Sequence, residues 1–597
     1  MSVYAGIYQY DSTSPVDQKL SAILRNSVSR STENVVTEFN WLGVHVVQAD
    51  IGAFANPSYT RLLNGGVVIV AGQLLIESAI GIDQSLEMER LWTSISGEDF
   101  KPLRSARGTF SLACYIPRDH RLLLAVDRLG VRPLYYYDDG RRVVFATALR
   151  IFEALSGNIP LSVDLEAVIE LNAFGFPLAD RTPFKEVHCM RGGEARSWGD
   201  KANRERIYWR WDQIPDRQNG GKDAAHELHK TFMDAVRIRC RNDRFARAFL
   251  SGGLDSRCIV TALVSLGIET HTYNISWPKS CDEILGAAYA RHIGTCHHSA
   301  KLPENKAGWA WPQLISEIIK EQPTVAGIDG ADRLRIVWSG DGGSVGLGRV
   351  YIEDGMVQAL RAGDVENAAR QFLARNNMAF CGGTLHPKVR KRFEERFLLA
   401  VIKEINHFEC ADPGKSLFLF LLENDQRRHM ASFYEEIDIN RIEYQMPFFD
   451  GEFLTAATAL PLDATLYHRF YSHHWIRTFG ESTVEIPWQV YPAHEPCPLP
   501  MPENAVHQWG RNWGETGVGR RREYALHALE WAFSPSLPVQ LFSRGRLAAV
   551  AISAAFFGGD YSYLFTSLRN ITHYKTICRD RIDDGKVSSL QENRYLF

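Results

Sequence analysis

The stretch 245–257 reads FARAFLSGGLDSR and joins a short apolar run to two glycines and three small polar residues. The apolar run predicts a buried strand over 245–250, and apolar residues at helical spacing predict a helix over 257–266. In an open α/β sheet, ligands bind in the crevice beyond the carboxyl ends of the strands, and this loop directly follows its strand. The stretch therefore predicts a ligand site at the edge of an α/β sheet.

The loop has the chemistry of a phosphate-binding cradle. Gly252 and Gly253 allow close backbone approach, and the N-terminus of the following helix offers unpaired N–H groups to an anion. The hydroxyls of Ser251 and Ser256 can donate hydrogen bonds to phosphate oxygens, and Asp255 can hold Mg²⁺. The alternative is that these residues only cap the helix, because Ser and Asp are preferred caps. The segment lacks G-x-x-x-x-G-K-[ST], which sets aside the P-loop nucleotide triphosphatases.

Strand and helix patterns alternate around this loop. Helical spacing covers 223–241, a strand pattern covers 270–276, and helical spacing returns over 282–293. Such alternation predicts a doubly wound parallel sheet.

Changes in residue pattern along the rest of the chain predict its domain boundaries. Short β-type runs at 66–70, 122–126 and 143–146 predict a sheet-rich N-terminal domain. A polar, irregular stretch at 198–222 predicts a boundary near Ile214. Helical patterns dominate from Leu417 onward. We therefore expect domains at 1–213, 214–500 and 501–597, the last being a helical extension.

Composition narrows the class of protein. The 597 residues carry a formal net charge of −3, which lacks the basic excess that binds nucleic acid. No stretch approaches 18 consecutive apolar residues and the N-terminus lacks a signal-peptide pattern, so we expect a cytoplasmic protein without membrane contact. The ten cysteines contain no C-x-x-C pair, which predicts reduced thiols and no structural zinc site. The adjacent His297 and His298 would point to opposite faces of a strand, which favours structural roles.

Several segments resemble the asparagine synthetase B family, in matching order over roughly residues 1 to 495. They are AVDRLGVRPLYYYDDGRRVVFATAL (125–149), RTPFKEV (181–187), SGGLDS (251–256), YNISWPKSCDE (273–283), IGTCHH (293–298), VWSGDGG (337–343) and RIEYQMPFFD (441–450). The resemblance implies an α/β two-domain protein: an N-terminal αββα sandwich of the Ntn-hydrolase type, similar to class II glutamine amidotransferases, and a C-terminal PP-loop ATP pyrophosphatase domain. Such enzymes split ATP between its α- and β-phosphates, with ATP and Mg²⁺ required.

The first domain departs from the family at the positions that hydrolyse glutamine. The family's catalytic cysteine stands in a Cys-Gly-Ile context, whereas this chain has Ala5-Gly6-Ile7. The segment that reads Asn-Gly-Glu in the family is Ala71-Gly72-Gln73. Glutaminase activity is therefore predicted to be absent. Ser2 is an alternative N-terminal nucleophile after removal of Met1, but it is out of register with the Gly-Ile.

The second domain also departs from the family pattern. In the segment 339–348, SGDGGSVGLG, Ser344 stands where the family has a metal-binding Asp. Asp341 could supply the second carboxylate for the metal, or it could only cap the turn. The family's catalytic lysine has no clear match, and Tyr491 or His494 could occupy the corresponding substrate region.

The resemblance also assigns further residues. Glu443 matches the family's glutamate that orients or deprotonates the attacking amine, and Tyr444 could share that role or simply pack. The rival interpretation of Glu443 is a salt-bridge partner on a helix surface. Leu250 and Ser276 match positions that contact the adenosine, or they only pack and cap. The candidate residues are Glu443, Tyr444 and Asp255 for catalysis; Leu250, Ser251, Gly252, Gly253, Asp255, Ser256, Ser276, Gly340, Asp341 and Gly342 for ATP and pyrophosphate; Asp255 and Asp341 for metal; and Tyr491 and His494 for substrate.

An asparagine-synthetase-like chain with a lost glutaminase resembles the intramolecular amide formers, and the loop 339–348 and the C-terminal extension are most similar to those of bacterial lasso peptide cyclases. That resemblance implies a macrolactam synthetase acting on a leader-free core peptide, with the leader peptidase and leader-recognition protein of the same pathway as partners. The alternative within the same chemistry is a small-molecule amide ligase of the β-lactam or asparagine type. Two other classes are a tRNA-modifying PP-loop enzyme, which the net charge disfavours, and a non-catalytic scaffold, which the intact phosphate loop disfavours.

Overall fold

The fold comes from a computed structural model. It describes residues 2–54, 58–62, 65–76, 84–97, 99–199, 203–276, 278–301, 335–375, 384–488, 518–535, 537–557 and 562–578. None of the helices in these ranges combines the length and the apolar character needed to cross a membrane.

Two antiparallel six-stranded sheets form the N-terminal part. The strand order is β10-β8-β9-β1-β3-β2 in the first sheet and β12-β11-β7-β6-β5-β4 in the second. The strands are β1 Ser2–Gln9, β2 Val35–Trp41, β3 Val44–Asp50, β4 Tyr59–Arg61, β5 Val67–Gly72, β6 Phe110–Ile116, β7 Arg121–Val126, β8 Tyr135–Asp138, β9 Arg142–Ala146, β10 Val187–Cys189, β11 Glu194–Trp198 and β12 Arg204–Ile207.

The two sheets pack face to face. Tyr4 and Val46 of the first sheet share one buried cluster with Ile69 and Leu124 of the second. Alternate residues of β1 point the other way: Val3 and Ile7 belong to a cluster with the helix Gln18–Val28. Because successive side chains of a strand face opposite sides, each sheet buries both faces, which gives the predicted αββα sandwich.

A third, parallel sheet forms the C-terminal part and has the order β15-β14-β13-β16-β17. Its strands are β13 Phe245–Phe249, β14 Glu269–Ser276, β15 Cys296–Lys301, β16 Ile336–Trp338 and β17 Glu443–Gln445. The helices Leu254–Ser265 and Cys281–Ile293 connect β13 to β14 and β14 to β15. The predicted strands and helices around the phosphate loop are confirmed, each within a few residues of its predicted bounds.

Helices surround the three sheets. The α-helices are Gln18–Val28, Gln84–Ser96, Lys101–Ser105, Arg150–Leu155, Leu165–Phe174, Lys222–Cys240, Leu254–Ser265, Cys281–Ile293, Gly343–Gly346, Asp354–Arg361, Val365–Arg375, Pro387–Ile405, Lys415–Phe420, Arg427–His429, Ala431–Glu435, Ile437–Asn440, Gly451–Thr458, Leu462–Thr465, Ser482–Glu485, Val518–Phe533, Arg544–Phe557 and Ser562–Ile577. Two π-helical segments, Leu421–Gln426 and Tyr471–Trp475, lie among them. The last three helices lie within 501–597, so the described part of the predicted C-terminal extension is helical.

Candidate active site

The phosphate loop lies at the carboxyl end of β13, as its sequence predicts. The amide of Leu250 donates to the carbonyl of Tyr273 in β14 (2.9 Å), so the loop leaves the sheet only after this residue. The helix Leu254–Ser265 begins directly after Gly253, which has extended backbone dihedrals. The first-turn amides of this helix therefore point toward the loop, as anion binding at a helix N-terminus requires.

Glycines bring three backbone segments together around the loop. A side chain at Gly252 would press on the carbonyl of Cys281 (3.1 Å), and one at Gly340 would lie 2.5 Å from the amide of Ser256. A Cβ added at Gly343 would likewise lie 2.5 Å from the carboxyl carbon of Asp255. Because only glycine permits such approach, the two loops form one cradle whose floor is backbone. The residues present fit a bound phosphate group.

Hydrogen bonds hold the loop in shape. The amide of Gly252 donates to Oδ1 of Asp282 at 2.8 Å. The Oγ of Ser256 accepts from the amide of Ser251 (3.0 Å), and the Oγ of Ser251 accepts from the amide of Gly253 (3.2 Å). The two hydroxyls are 3.1 Å apart, so one of their protons is used between them and the other is left for a ligand oxygen.

Asp255 lies where the two loops meet. Its carboxylate accepts from the amide (2.9 Å) and the hydroxyl (2.7 Å) of Ser344 and from the hydroxyl of Tyr471 (2.6 Å). Burial raises the pKa of Asp255 to about 6, the bonds from Tyr471 and Ser344 oppose this rise, and the charge of Asp341 adds to it. The residue that replaces the family's Asp therefore acts as a donor to Asp255.

Asp341 supplies a second carboxylate beside the first, and its partners are two polar side chains. Its Oδ2 accepts from the hydroxyl of Ser339 (2.5 Å), and its Oδ1 lies 3.2 Å from Nε2 of His429. Burial acts to raise the pKa of Asp341, but the hydrogen bond and charge of His429 hold it below its usual value. The same hydrogen bond raises the pKa of His429 to about 9, so His429 is a cation at pH 7. A metal at Asp341 would thus compete with His429.

Glu443 is buried in an ion pair. Its carboxylate lies 3.3 Å from Nη1 of Arg132 in the N-terminal domain, and both side chains are almost fully buried. Burial raises the pKa of Glu443, against the opposing charge of Arg132. The guanidinium of Arg132 also lies over the ring of Tyr434, 4.1 Å from its centroid. Glu443 does form a salt bridge, but it lies on a strand in the interior and not on a helix surface as the rival interpretation had it. Its catalytic role stays a prediction.

Tyr444 faces the other side of β17. Its ring packs 4.1 Å from the ring of Phe433 and 5.9 Å from that of Phe249, measured between centroids. Burial, with the nearby charge of Asp341, raises the pKa of Tyr444 well above its usual value. The phenol therefore stays protonated at neutral pH.

The turn after β7 delivers Arg132 to Glu443. Asp127 accepts backbone N–H bonds from Leu129 (2.9 Å) and Gly130 (2.7 Å), and one from Phe110 (3.1 Å) across the sheet. A carboxylate that satisfies several amides fixes a turn that would otherwise leave them unpaired. The quoted block 125–149 thus contributes a side chain to the neighbourhood of the second domain.

Both residues that were predicted to contact the adenosine, Leu250 and Ser276, are buried. The side chain of Leu250 is 1% exposed and belongs to the large core, while its carbonyl accepts from Asn274 (2.8 Å). Ser276 is 2% exposed and donates to Oδ1 of Asn274. Leu250 therefore has the packing role that was its alternative, whereas Ser276 bonds to a side chain and not to the strand end. Contact of either residue with a nucleotide stays a prediction. Tyr491 and His494 lie outside the described residues.

The former nucleophile position is filled by a core residue. Ala5 is fully buried in β1 and belongs to the same apolar cluster as Val3 and Ile7. Gly72 keeps a φ of +99°, and a side chain there would collide with the carbonyl of Thr109. Gln73 is 4% exposed, and its side-chain amide has no hydrogen-bond partner within the described part of the chain. The segment 71–73 thus has a glutamine where the family pattern has a glutamate.

Sequence reasoning missed four residues that contact the site: Tyr471, His429, Asp282 and Arg132. Tyr471 lies among aromatic residues at helical spacing, a pattern that indicates core packing. No motif around His429 indicated a role in a site. Asp282 and Arg132 lay inside quoted blocks, where a buried carboxylate or guanidinium could have been suspected.

Two family models match the chain. One describes a glutamine amidotransferase domain and matches residues 91–209; the other describes asparagine synthase and matches residues 227–331, which include the phosphate loop. The first match, with the two packed antiparallel sheets, identifies the N-terminal part as an Ntn-type glutamine amidotransferase domain.

Similar proteins include putative asparagine synthetase [glutamine-hydrolyzing] 2 of Methanocaldococcus jannaschii, 26% identical over 41% of this chain and 50% of that protein. Asparagine synthetase [glutamine-hydrolyzing] 3 of Bacillus subtilis is 25% identical over 37% of this chain and 38% of that protein. The matched segments thus span half or less of these relatives. Among solved structures, glutamine phosphoribosylpyrophosphate amidotransferase of B. subtilis covers 58% of this chain, and 77% of that chain is matched, at 11% identity and a TM-score of 0.23.

Proposed function

We propose that this chain, which resembles asparagine synthetases, is an ATP-dependent, AMP-forming amide ligase, and specifically a lasso peptide cyclase. In this proposal it adenylates an Asp or Glu side chain of a leader-free core peptide. The N-terminal amine of the same peptide then closes the macrolactam. The observation that carries the ATP-dependent step is the two-loop glycine cradle around Asp255.

The chemistry needs two displacements. A carboxylate oxygen of the peptide attacks the α-phosphorus of ATP, the bond to the bridging oxygen breaks, and pyrophosphate leaves with the electron pair. The amine nitrogen then attacks the acyl carbon, AMP leaves with the electron pair of its bond, and the amine loses a proton. The peptide has lost one water in total, with ATP converted to AMP and pyrophosphate.

The residues of the cradle suit the first displacement. The backbone of Gly252 and Gly253 would approach the leaving phosphates closely, and the unused hydroxyl proton of the Ser251–Ser256 pair would bind one oxygen. A divalent cation held by Asp255 and Asp341 would neutralise phosphate charge when bound. Stabilising developing charge with preorganised groups is the main source of rate in such transfers.

The loss of the nucleophile at Ala5 supports an acceptor amine that does not come from glutamine. A peptide that brings its own amine needs no ammonia, and the retained first domain would then serve the second domain by its contacts. The resemblance of the loop 339–348 to lasso cyclases favours a peptide over a small molecule. Partners in the proposal are the core peptide, the leader peptidase and the leader-recognition protein.

The test is mass spectrometry of leader-free candidate peptides incubated with the protein, ATP and Mg²⁺, alongside a pyrophosphate-release assay. We expect loss of one water from the peptide with matching pyrophosphate. Asp255→Asn should abolish both signals with an unchanged circular dichroism spectrum, whereas Asp364→Asn, at an exposed position, should retain them.

Three outcomes contradict parts of the proposal. Pyrophosphate release with amino-acid-sized substrates only would make the chain a small-molecule amide ligase. Turnover retained in Asp255→Asn would show that the phosphate site is elsewhere. Formation of glutamate from glutamine by the wild-type protein would show that the first domain is still a glutaminase.

A further inference from the structure

Three side chains with metal-binding atoms meet on the outer strands of the parallel sheet, at the end opposite the phosphate loop. His271 lies in β14 directly opposite Cys296 in β15, and His298 lies two residues further along β15, on the same face. Their donor atoms all lie within 4.8 Å of one another. His297, between the last two, points to the other face and contacts Thr272 (2.9 Å).

The distances between the donor atoms match tetrahedral coordination. Nδ1 of His271 and Nε2 of His298 are 3.1 Å apart, and Sγ of Cys296 is 3.6 Å from the same Nε2. Zinc bonds of about 2.05 Å to nitrogen and about 2.3 Å to sulfur, at tetrahedral angles, place two nitrogens about 3.3 Å apart and a nitrogen and a sulfur about 3.6 Å apart.

The surroundings suit a metal-binding imidazole. Oε1 of Glu269 lies 3.5 Å from Nε2 of His271, the ring nitrogen that faces away from the cluster. A carboxylate at the outer nitrogen of a ligating histidine is the common second-sphere arrangement, because it orients the ring and raises its basicity.

Aromatic rings position both imidazoles. Tyr273 stacks on His298 with centroids 4.8 Å apart, and Phe245 meets His271 edge-on at 4.8 Å. The thiol of Cys296 is exposed, so a metal can enter without unfolding the sheet. The cluster is therefore held by its neighbours and open on one side.

We infer that His271, Cys296 and His298 form a Zn²⁺ site with three protein ligands and an exposed fourth position. Two imidazoles and a thiolate select zinc over Mg²⁺, which takes oxygen ligands. The bound ion would join β14 to the edge strand β15. This inference departs from the cysteine pattern, which predicted no structural zinc site. That pattern could not indicate these ligands, because one comes from the neighbouring strand and only one of the three is a cysteine.

The experiment uses the full-length protein, reduced and freed of metal, with Mg²⁺ in excess to occupy oxygen-donor sites and with no ATP or peptide. Zinc content is measured by mass spectrometry after loading and desalting, and Co²⁺ is used as a spectroscopic substitute. We expect one Zn²⁺ per chain, a sulfur-to-cobalt charge-transfer band in the near ultraviolet, and visible bands of tetrahedral intensity.

The variants separate the site from general binding. Cys296→Ser should remove the sulfur-to-cobalt band, and both Cys296→Ser and His271→Asn should weaken zinc binding at least about tenfold. His297→Asn, at the adjacent position on the other face, should bind like the wild type, and so should Cys281→Ser. Zinc should raise the midpoint of thermal unfolding in these two controls and not in Cys296→Ser.

The inference is wrong if the wild-type protein binds no zinc, if Cys296→Ser keeps full stoichiometry, or if the cobalt spectrum is octahedral and lacks the sulfur band. Because no nucleotide or peptide is present, these results are independent of whether the chain is an amide ligase.

Discussion

Asp255 and Asp341 lie on two different loops, and different side chains hold each carboxylate. Asp255 is held by Ser344 and Tyr471, which are neutral donors, whereas Asp341 is held by the cation His429. Charge repulsion between the two carboxylates is therefore already partly compensated without a metal. The partners come from far along the chain, Tyr471 being 216 residues after Asp255, which is why sequence spacing could not predict them.

Substitution of Asp341 and substitution of its partner His429 should change the requirement for Mg²⁺ in opposite directions. Asp341→Asn removes a ligand and should raise the Mg²⁺ concentration for half-maximal pyrophosphate release by about tenfold or more. His429→Gln removes the competing cation and should lower it. The measurement is a Mg²⁺ titration of pyrophosphate release at saturating ATP. Equal midpoints in both variants and the wild type would show that Asp341 only shapes its turn.

At the scale of elements, the strands and helices around the phosphate loop could be predicted because apolar periodicity and turn residues are local signals. The helix 254–265 starts three residues earlier than its apolar pattern, since Leu254 and Asp255 already have helical geometry within the loop sequence. β17 has only three residues and could not be predicted as a strand from its pattern. Its position depends on pairing with β16 and on the ion pair with Arg132.

The ion pair between Arg132 and Glu443 gives a test of both roles of Glu443. Each single variant, Arg132→Met or Glu443→Gln, leaves one buried side chain without its partner and should lower the free energy of unfolding by about 3–5 kcal/mol. The double variant should lose less than the sum of the two. Chemical denaturation of the four proteins measures this.

Turnover in the same four proteins separates structure from catalysis. If Glu443 also accepts the proton of the amine, the double variant should regain stability and stay inactive. Recovery of pyrophosphate-coupled peptide cyclisation in the double variant would rule out that role. The predicted catalytic role of Glu443 thus has a readout that packing alone would not change.

At the scale of the whole molecule, arginines of the first domain pair with buried acids of the second. The distance from the guanidinium nitrogen to the carboxylate oxygen is 3.0 Å or less in three pairs and 3.3 Å in the fourth. The pairs are Arg30 with Asp438 (2.7 Å), Arg107 with Asp450 (3.0 Å), Arg132 with Glu443 (3.3 Å) and Arg191 with Glu404 (2.7 Å). The sequence predicted a domain boundary near Ile214, but it could not predict such pairs, because they are tertiary contacts between residues more than 200 positions apart.

A buried glutamate in this interface predicts how stability changes with pH. Burial raises the pKa of Glu423 to about 7, against the charges of Arg191 and Arg427. Between about pH 4.5 and 7 the unfolded chain ionises this group and the folded chain does not, so stability falls as pH rises through this window and is constant above it. In Glu423→Gln the fall between pH 5 and 7.5 should be smaller, by roughly 1–3 kcal/mol.

Urea unfolding at the two pH values measures this difference, and the exposed Glu366→Gln is the matched control. Parallel stability profiles for the wild type and Glu423→Gln would show that Glu423 is already ionised in the folded protein.

The arginine-to-acid pairs also decide how short this protein can be made. A truncated protein that begins after residue 213 would lack Arg30, Arg107, Arg132 and Arg191. Asp438, Glu443 and Glu404 would then lose their arginine partners and lie on the surface that the first domain had covered. Losing the nucleophile at position 5 therefore did not make the first domain dispensable. A shortened version of the protein has to keep the first domain or replace every acid that this domain neutralises.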